Sequence, residues 1–338
     1  MNIDAVIPWV DGGDPSHRQR LEAFLAQRGG PRPSAARPTR FHHAGELDWC
    51  VAAILRFAPW IHRIHIVSDG QTPALIERMR GTPQAGRVRV VDHREIFAGF
   101  EHGLPTFNSR TISSMLWRID GLAEHYLCFN DDFMLLRPLE ADAFFRDGRV
   151  VLRGGWHAQS GHGAPGALRR LFGRVRGRPV DRAGNREAQE LSARLAGFER
   201  TYFRLPHVPY PYRRSTLESF FAQHPDLLER NIAHALRSPE QFLAESLAAH
   251  LELARDGAIV DNAIRVVQLK PGEQREWRLR AKLREADRDA SVAFACVQSL
   301  DQAADPLRAR ITAWLDRRIG PLDAVIEDGS RASPTACT

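Results

Sequence analysis

Four apolar runs in the N-terminal half of this chain end in acids. Ile3 to Val10 leads into Asp11-Gly12-Gly13-Asp14, and Arg63 to Ser68 leads into Asp69-Gly70. Arg87 to Val91 leads into Asp92-His93, and Tyr126 to Phe129 leads into Asn130-Asp131-Asp132. Carboxylates brought together repel unless a cation joins them or some stay protonated. A hard ion such as Mg²⁺ takes one or two carboxylates and leaves its other positions to water or substrate phosphates. Each run alone also has a plain structural use: Asp-Gly pairs are turn chemistry, and a strand-terminal Asp caps the next helix. Asn130-Asp131-Asp132 is the most specific of the four, although an Asx turn with a helix cap would use the same residues. His207 is the candidate proton acceptor. It sits in LPHVPYPYRR (Leu205 to Arg214), where three prolines exclude a helix and fix an extended path. A surface His beside prolines would look the same. HExxH, Walker A, GxSxG and GxGxxG are all absent, which counts against metalloprotease, P-loop, serine-hydrolase and dinucleotide chemistry.

The acids meet only if these runs are strands of one sheet that point the same way. Helical patterns lie between them. One starts at Pro15 with Asp14 as N-cap and reaches about Gln27. Another starts at Glu46, with Leu47, Cys50, Val51 and Ile54 at helical spacing. A third follows Thr72-Pro73, and a fourth is expected over Ser109 to Ile119. Strands alternating with helices predict a mostly parallel α/β sheet. In such a sheet ligands sit outside the carboxyl ends of the strands. Gly154 to Arg186 reads as an irregular basic excursion. Helices dominate beyond it, one of them capped by Ser238, Pro239 and Gln241 and one over Pro306 to Ile319.

The chain has 338 residues, 43% hydrophobic and 26% charged, which fits neither a disordered nor a fibrous protein. No run nears the roughly 18 apolar residues of a membrane span. The start carries acids where a signal peptide needs Lys or Arg, so a cytoplasmic protein is expected. Four dispersed cysteines exclude an obvious disulfide framework or zinc knuckle. Against 41 acids stand 47 cations, all Arg except Lys270 and Lys282, for a net charge of +6. Much of the excess lies between Arg169 and Arg186. That stretch fits a solvated loop, or a surface for phosphate-bearing acceptors or anionic headgroups at the inner membrane face. No nucleic-acid partner is expected.

The acid-bearing residues carry a resemblance. The strand end FNDD (Phe129 to Asp132) is similar to the metal-binding strand end of nucleotide-sugar-using transferases. IDAVIPWVDGGDP (Ile3 to Pro15) resembles the first conserved region of the Stealth family. Glu46-Leu47, Ala53 to Pro73, VVDHREIF (Val90 to Phe97), LPTFNSRTI (Leu104 to Ile112) and FNDDFMLL (Phe129 to Leu136) resemble its second region, in order. His207 to Arg214, with the helices after it, resembles the third. The chain departs from the pattern in the fourth region, where Gln298-Ser299 stands in place of an expected Asn-Asp.

The resemblance implies a Rossmann-like, glycosyltransferase-A-like half over residues 1–155, whereas the Gly- and Arg-rich composition alone marks a basic insertion over 156–200. A mainly helical part over 201–326 would complete the site, before a tail at 327–338. It implies transfer of a sugar 1-phosphate from a nucleotide sugar, typically a UDP-sugar, to a hydroxyl of a polysaccharide or oligosaccharide acceptor. It further implies Mg²⁺ or Mn²⁺ held by Asp131 and Asp132, and His207 as base. Trp9, Asp11, Gly12, Asp14, Arg40, Asp69, Asn108, Arg110, Asn130 and Arg213 would bind the donor, with Arg214 as a further phosphate partner. Two alternatives stay open: an ordinary metal-dependent glycosyltransferase, and a nucleotide-sugar-binding protein with impaired catalysis.

Overall fold

The computed structural model describes residues 1–36, 41, 44–160 and 184–328. Thirteen strands occur among them. The first seven are β1 (Ile3–Pro8), β2 (Ile64–Ser68), β3 (Val88–Asp92), β4 (His125–Cys128), β5 (Phe133–Leu135), β6 (Phe145–Arg146) and β7 (Arg149–Leu152). The rest are β8 (Gly155–Ala158), β9 (Thr201–Arg204), β10 (Tyr210–Arg213), β11 (Ala258–Val260), β12 (Arg265–Leu269) and β13 (Val292–Val297). No helix among the described residues is long and apolar enough to cross a membrane.

The central sheet has the order β10-β4-β1-β2-β3. β1 to β4 are mutually parallel, as the alternation of strands and helices predicts, so their acid-bearing ends share one edge. Both faces of the sheet are covered. Ile3, Ala5 and Ile7 of β1 enter one core with Ile64, Ile66 and the helix Glu46–Phe57. Val6, Val67, Val91 and Tyr126 enter a second core on the other face. Burial on both faces is what a parallel sheet requires, and it explains why these strands read as continuous apolar runs.

The proline-rich segment after Leu205 is extended, as expected, but it is also a strand. β10 joins the edge of the sheet antiparallel to β4, pairing Tyr210 with Cys128 and Arg213 with His125. An edge position tolerates Pro211, which has no N–H to donate. The direction matters for function. The start of β10, next to His207, lies at the acid-bearing edge, whereas Arg213 lies at the opposite one.

A smaller sheet, β12-β13-β5, meets the central one at Asp131-Asp132. β12 and β13 are parallel, β5 is antiparallel to β13, and the Val297 N–H donates to the Asp132 carbonyl at 2.9 Å. The C-terminal part is thus mostly helical but supplies five strands that were not foreseen. Two other expectations change. The helix at Ser109 stops at Ser113, followed by a 3-10 turn over Leu116–Arg118. The helix expected from Ser238 starts at Ala244. Gln241 Oε1 still accepts from the Ser238 N–H at 3.0 Å, but its amide donates to Asn231 O and Thr111 Oγ1, at 2.7 and 3.1 Å. A long-range polar knot has displaced the capping box. Within the basic excursion, Gly155–Ala158 pairs with Thr201–Arg204 and Asn185–Leu195 is a helix, while Arg169 to Arg182 lies outside the described residues.

Candidate active site at the shared strand edge

A cleft of about 1020 Å³ opens along the acid-bearing edge. Trp9 after β1, Asp69 after β2, His93 after β3 and Asn130, Asp131 and Asp132 after β4 all line it. The smaller sheet closes the other side with Lys270, which follows β12, and with Gln298 and Ser299, which follow β13. Ser299 adopts a left-handed backbone (φ 54°), which Asn and Asp enter more readily than Ser.

The acids at the strand ends divide into two groups. Asp11, Asp14 and Asp92 are occupied by their own backbone. Asp11 Oδ1 accepts from the Gly13 N–H at 2.7 Å. Asp14 caps the helix Pro15–Arg28, accepting from the His17 N–H at 2.7 Å. Asp92 accepts from the N–H groups of Gly70 and Arg94 at 3.0 and 2.8 Å. Gly12 is present for space: its N–H donates to Phe41 O at 2.6 Å, and a Cβ there would sit 2.5 Å from that oxygen. Asp69 does face the cleft, ion-paired with Arg20 at 3.0 Å. Asp131 and Asp132 face it with no Arg or Lys among the partners described for their carboxylates.

That corner is electrostatically strained. Burial, repulsion from Asp132 and then Glu46 hold the Asp131 carboxyl well above its usual range. Burial likewise raises Asp132, to about 6, against the opposing hydrogen bond from Cys296 Sγ at 3.6 Å. Asp132 Oδ1 is buried with no hydrogen-bond partner. Glu46 also lines the cleft and was missed as a site residue, because an acid in the first turn of an apolar helix reads as dipole chemistry. Among the described residues no three His, Cys, Asp or Glu side chains form a ready metal cage. An orphaned carboxylate oxygen in a mutually repelling pair fits a cation that takes two protein oxygens and draws the rest from substrate.

His207 lies on a neighbouring cavity of about 600 Å³, and Lys270 lines both spaces. Burial, and then the positive charges of Lys270 and Arg204, push the His207 imidazole below its ordinary value. It is therefore neutral at pH 7, the form that can accept a proton. Its ring packs edge-on against Phe133, centroids 6.2 Å apart, just after the Asp131-Asp132 corner. Lys270 was missed, although the chain has only two lysines among 47 cations, which was a usable signal.

Three expected donor-binding residues stand elsewhere. Asn108 is fully buried, its amide donating to His234 O and Gln241 Oε1, both at 2.8 Å. Arg110 bridges Ser238 O and Gly184 O, each at 3.0 Å. Both brace the chain instead of lining the cleft. Arg213 is paired with buried Glu252 at 2.5 Å, at the far edge of the sheet, because β10 runs antiparallel. Arg214 is at that far edge too, 3.8 Å from Glu218. Arg40 lies outside the described residues.

Two family models match the chain. Residues 1–29 match Stealth protein CR1, conserved region 1, and residues 40–152 match Stealth protein CR2, conserved region 2. An exopolysaccharide phosphotransferase of Streptomyces coelicolor is 34% identical over 268 residues, 79% of this chain and 42% of that protein. The exopolysaccharide phosphotransferase CpsY of Mycobacterium tuberculosis is 29% identical over 337 residues, 98% of this chain and 59% of that one. The capsular polysaccharide phosphotransferase LcbA of Aeromonas hydrophila is 37% identical over 151 residues, 44% of this chain and 40% of that one. The chain thus spans about half the length of these relatives. Among solved structures, galactosyltransferase LgtC with donor and acceptor sugar analogs is similar at TM-score 0.41 and 12% identity, covering 93% of this chain and 96% of that one. The chain carries conserved regions 1 and 2 of the Stealth family, and these hold the first four strands and the Asp131-Asp132 corner.

Proposed function

We propose that this chain transfers a sugar 1-phosphate from a nucleotide sugar, most simply a UDP-sugar, to a hydroxyl of a polysaccharide or oligosaccharide acceptor. A phosphodiester forms and nucleoside monophosphate leaves. The observation that carries this reading is the arrangement around Lys270. On one side is an acid corner at the shared strand edge; on the other is a cavity holding a neutral imidazole. The names of the relatives support the same reaction class.

The acceptor oxygen attacks the β-phosphorus, and the bond from that phosphorus to the bridging oxygen breaks. The anomeric carbon–oxygen bond stays intact. Phosphoryl transfer is chiefly positioning and charge neutralisation. Asp131 and Asp132 would hold Mg²⁺ or Mn²⁺, which when bound supplies Lewis-acid neutralisation of the pyrophosphate. Trp9, Asp69 and Asn130 line the donor side. Lys270, between the two spaces, offers an ammonium to phosphate charge that develops there. His207 accepts the proton of the attacking hydroxyl, help typically worth about 10²–10⁴-fold in rate.

A panel of nucleotide sugars incubated with the protein, a divalent cation and an oligosaccharide tests this through the nucleotide released. Nucleoside monophosphate is the expected product. Nucleoside diphosphate alone would make the chain an ordinary glycosyltransferase. Donor binding without any product would make it a binding protein, a reading that Gln298-Ser299 in the cleft wall keeps in play.

A further inference from the structure

The second cavity differs from the first in charge. Its walls carry Arg186, Arg204 and Lys270, together with His157 and His207, and no Asp or Glu side chain among the described residues. The first cleft is lined by six acids, Glu46, Asp69, Asp131, Asp132, Glu273 and Asp301, against three cations, Arg32, Arg237 and Lys270. Two adjoining spaces of opposite character therefore share one lysine.

The ribbon β8–β9 builds one wall of the cavity. Its register pairs Gly155 with Arg204 and His157 with Tyr202, and all four residues line the space. Trp156 and Phe203, which alternate with them, pack together away from the cavity with ring centroids 5.5 Å apart. The rings of His157 and Tyr202 lie side by side, 5.7 Å apart and tilted by 34°. The Arg186 guanidinium stands 5.9 Å from the Tyr202 ring centre. Arg186 is held there by Glu190, at 2.8 Å on the following helical turn, and Lys270 is loosely paired with Glu273 at 3.4 Å. The chain thus places two flat rings and three cations around a space that ends at His207.

We infer that this cavity is an acceptor subsite for acidic glycans: a sugar residue bearing a phosphodiester or a carboxylate binds among Arg186, Arg204 and Lys270. A neutral ring flanking that residue rests on the exposed ring of His157. This rests on the proposed transferase reading for its placement beside His207, and it adds the chemical class of the acceptor.

The test is calorimetric binding to the whole chain of three oligosaccharides of equal length: neutral, uronate-bearing and phosphodiester-linked. Nucleotide binding is measured in parallel. At least one acidic oligosaccharide is expected to bind about tenfold more tightly than the neutral one, the gain from one charge-assisted contact. Which of the two does so identifies the anion. Arg204→Gln removes a solvent-facing cation at the mouth of the cavity. It is expected to erase most of that preference while nucleotide affinity and the melting temperature hold. Equal affinity for neutral and acidic glycans overturns the inference, as does a preference that survives both Arg204→Gln and Arg186→Gln. Nucleotide binding together with monophosphate release onto neutral glycans, without acidic preference, would leave the transferase reading standing and remove only the subsite. Acidic-glycan binding without any nucleotide binding would do the reverse.

Discussion

Arg213→Ala separates two roles for one residue. The sequence reading put Arg213 in the donor site, and the fold puts it at the other end of the sheet. There its Nε and Nη2 donate to Glu252 at 3.2 and 2.5 Å, and its Nη1 donates to Gly148 O at 3.3 Å. The Glu252 side chain is only 1% exposed. Burial pulls its carboxyl upward, and hydrogen bonds from Arg213, Arg255 and Thr216 overcome this and hold it below the ordinary carboxylate range. Removing one partner of a buried ion pair costs about 3–5 kcal/mol when the charge is left alone. Here Arg255 remains, donating from Nε at 3.0 Å, so the expected loss is smaller, about 2–3 kcal/mol. At an unfolding entropy of about 2.1 cal/mol/K per residue, that lowers the melting temperature by about 3–4 °C. The loss should shrink as pH falls below about 4.5. The depressed carboxyl gives stability that is present above its unfolded pKa and lost as it protonates. Scanning calorimetry measures the shift, and titration calorimetry with UDP or UMP measures the nucleotide affinity. A lowered melting temperature with unchanged affinity is expected. An unchanged melting temperature with affinity reduced more than threefold would refute the placement and return Arg213 to the donor site.

Further outcomes follow from the same geometry. His207→Ala should cut turnover by about 10²–10⁴-fold and leave nucleotide affinity alone, read by single-turnover kinetics beside calorimetry; unchanged turnover would remove it from the mechanism. Asp132→Asn relieves repulsion in the acid corner, so in chelator it should melt at or above the wild-type temperature while losing turnover and any stabilisation by added Mg²⁺; equal Mg²⁺ stabilisation in both proteins would place the cation elsewhere. Burial pushes His93 down to about 4, so the folded chain takes up this proton later than the unfolded one. Stability should fall as pH drops from about 6.5 toward 4, by up to about 3 kcal/mol from this residue, and His93→Gln should flatten the urea-midpoint profile. Gly12→Ala drives a methyl into Phe41 O, so it should destabilise by about 1–3 kcal/mol; a wild-type melt would show that the loop yields freely.

The parts of the fold that could be read in advance are those whose signals are local. β1 to β4 are apolar runs bounded by Gly, Pro and Asp, and helical spacing between them leaves a parallel arrangement as the simple solution. Asp131-Asp132 stood out because an apolar strand there delivers three polar side chains in a row, Asn130, Asp131 and Asp132. Asp11 and Asp14 were harder to judge, since a carboxylate that serves its own loop and one that serves a ligand have the same sequence. Direction was also invisible. Nothing in LPHVPYPYRR says that its strand runs antiparallel, and that alone sends His207 and Arg213 to opposite edges. Asn108 and Arg110 are claimed by partners more than 70 positions away, and no local pattern announces such pairings. Lys270 and Gln298 reach the cleft only because the small sheet docks on Asp132, which is likewise a long-range event.

The central claim is that the phosphorus and not the sugar carbon is attacked. A donor carrying ¹⁸O at the oxygen that joins the anomeric carbon to the β-phosphorus decides it. After turnover with a glycan acceptor, mass spectrometry locates the label. Attack on phosphorus leaves ¹⁸O in the glycan product, within a new phosphodiester, beside unlabelled nucleoside monophosphate. Label recovered in released nucleoside diphosphate, with a phosphate-free glycosidic product, would contradict it.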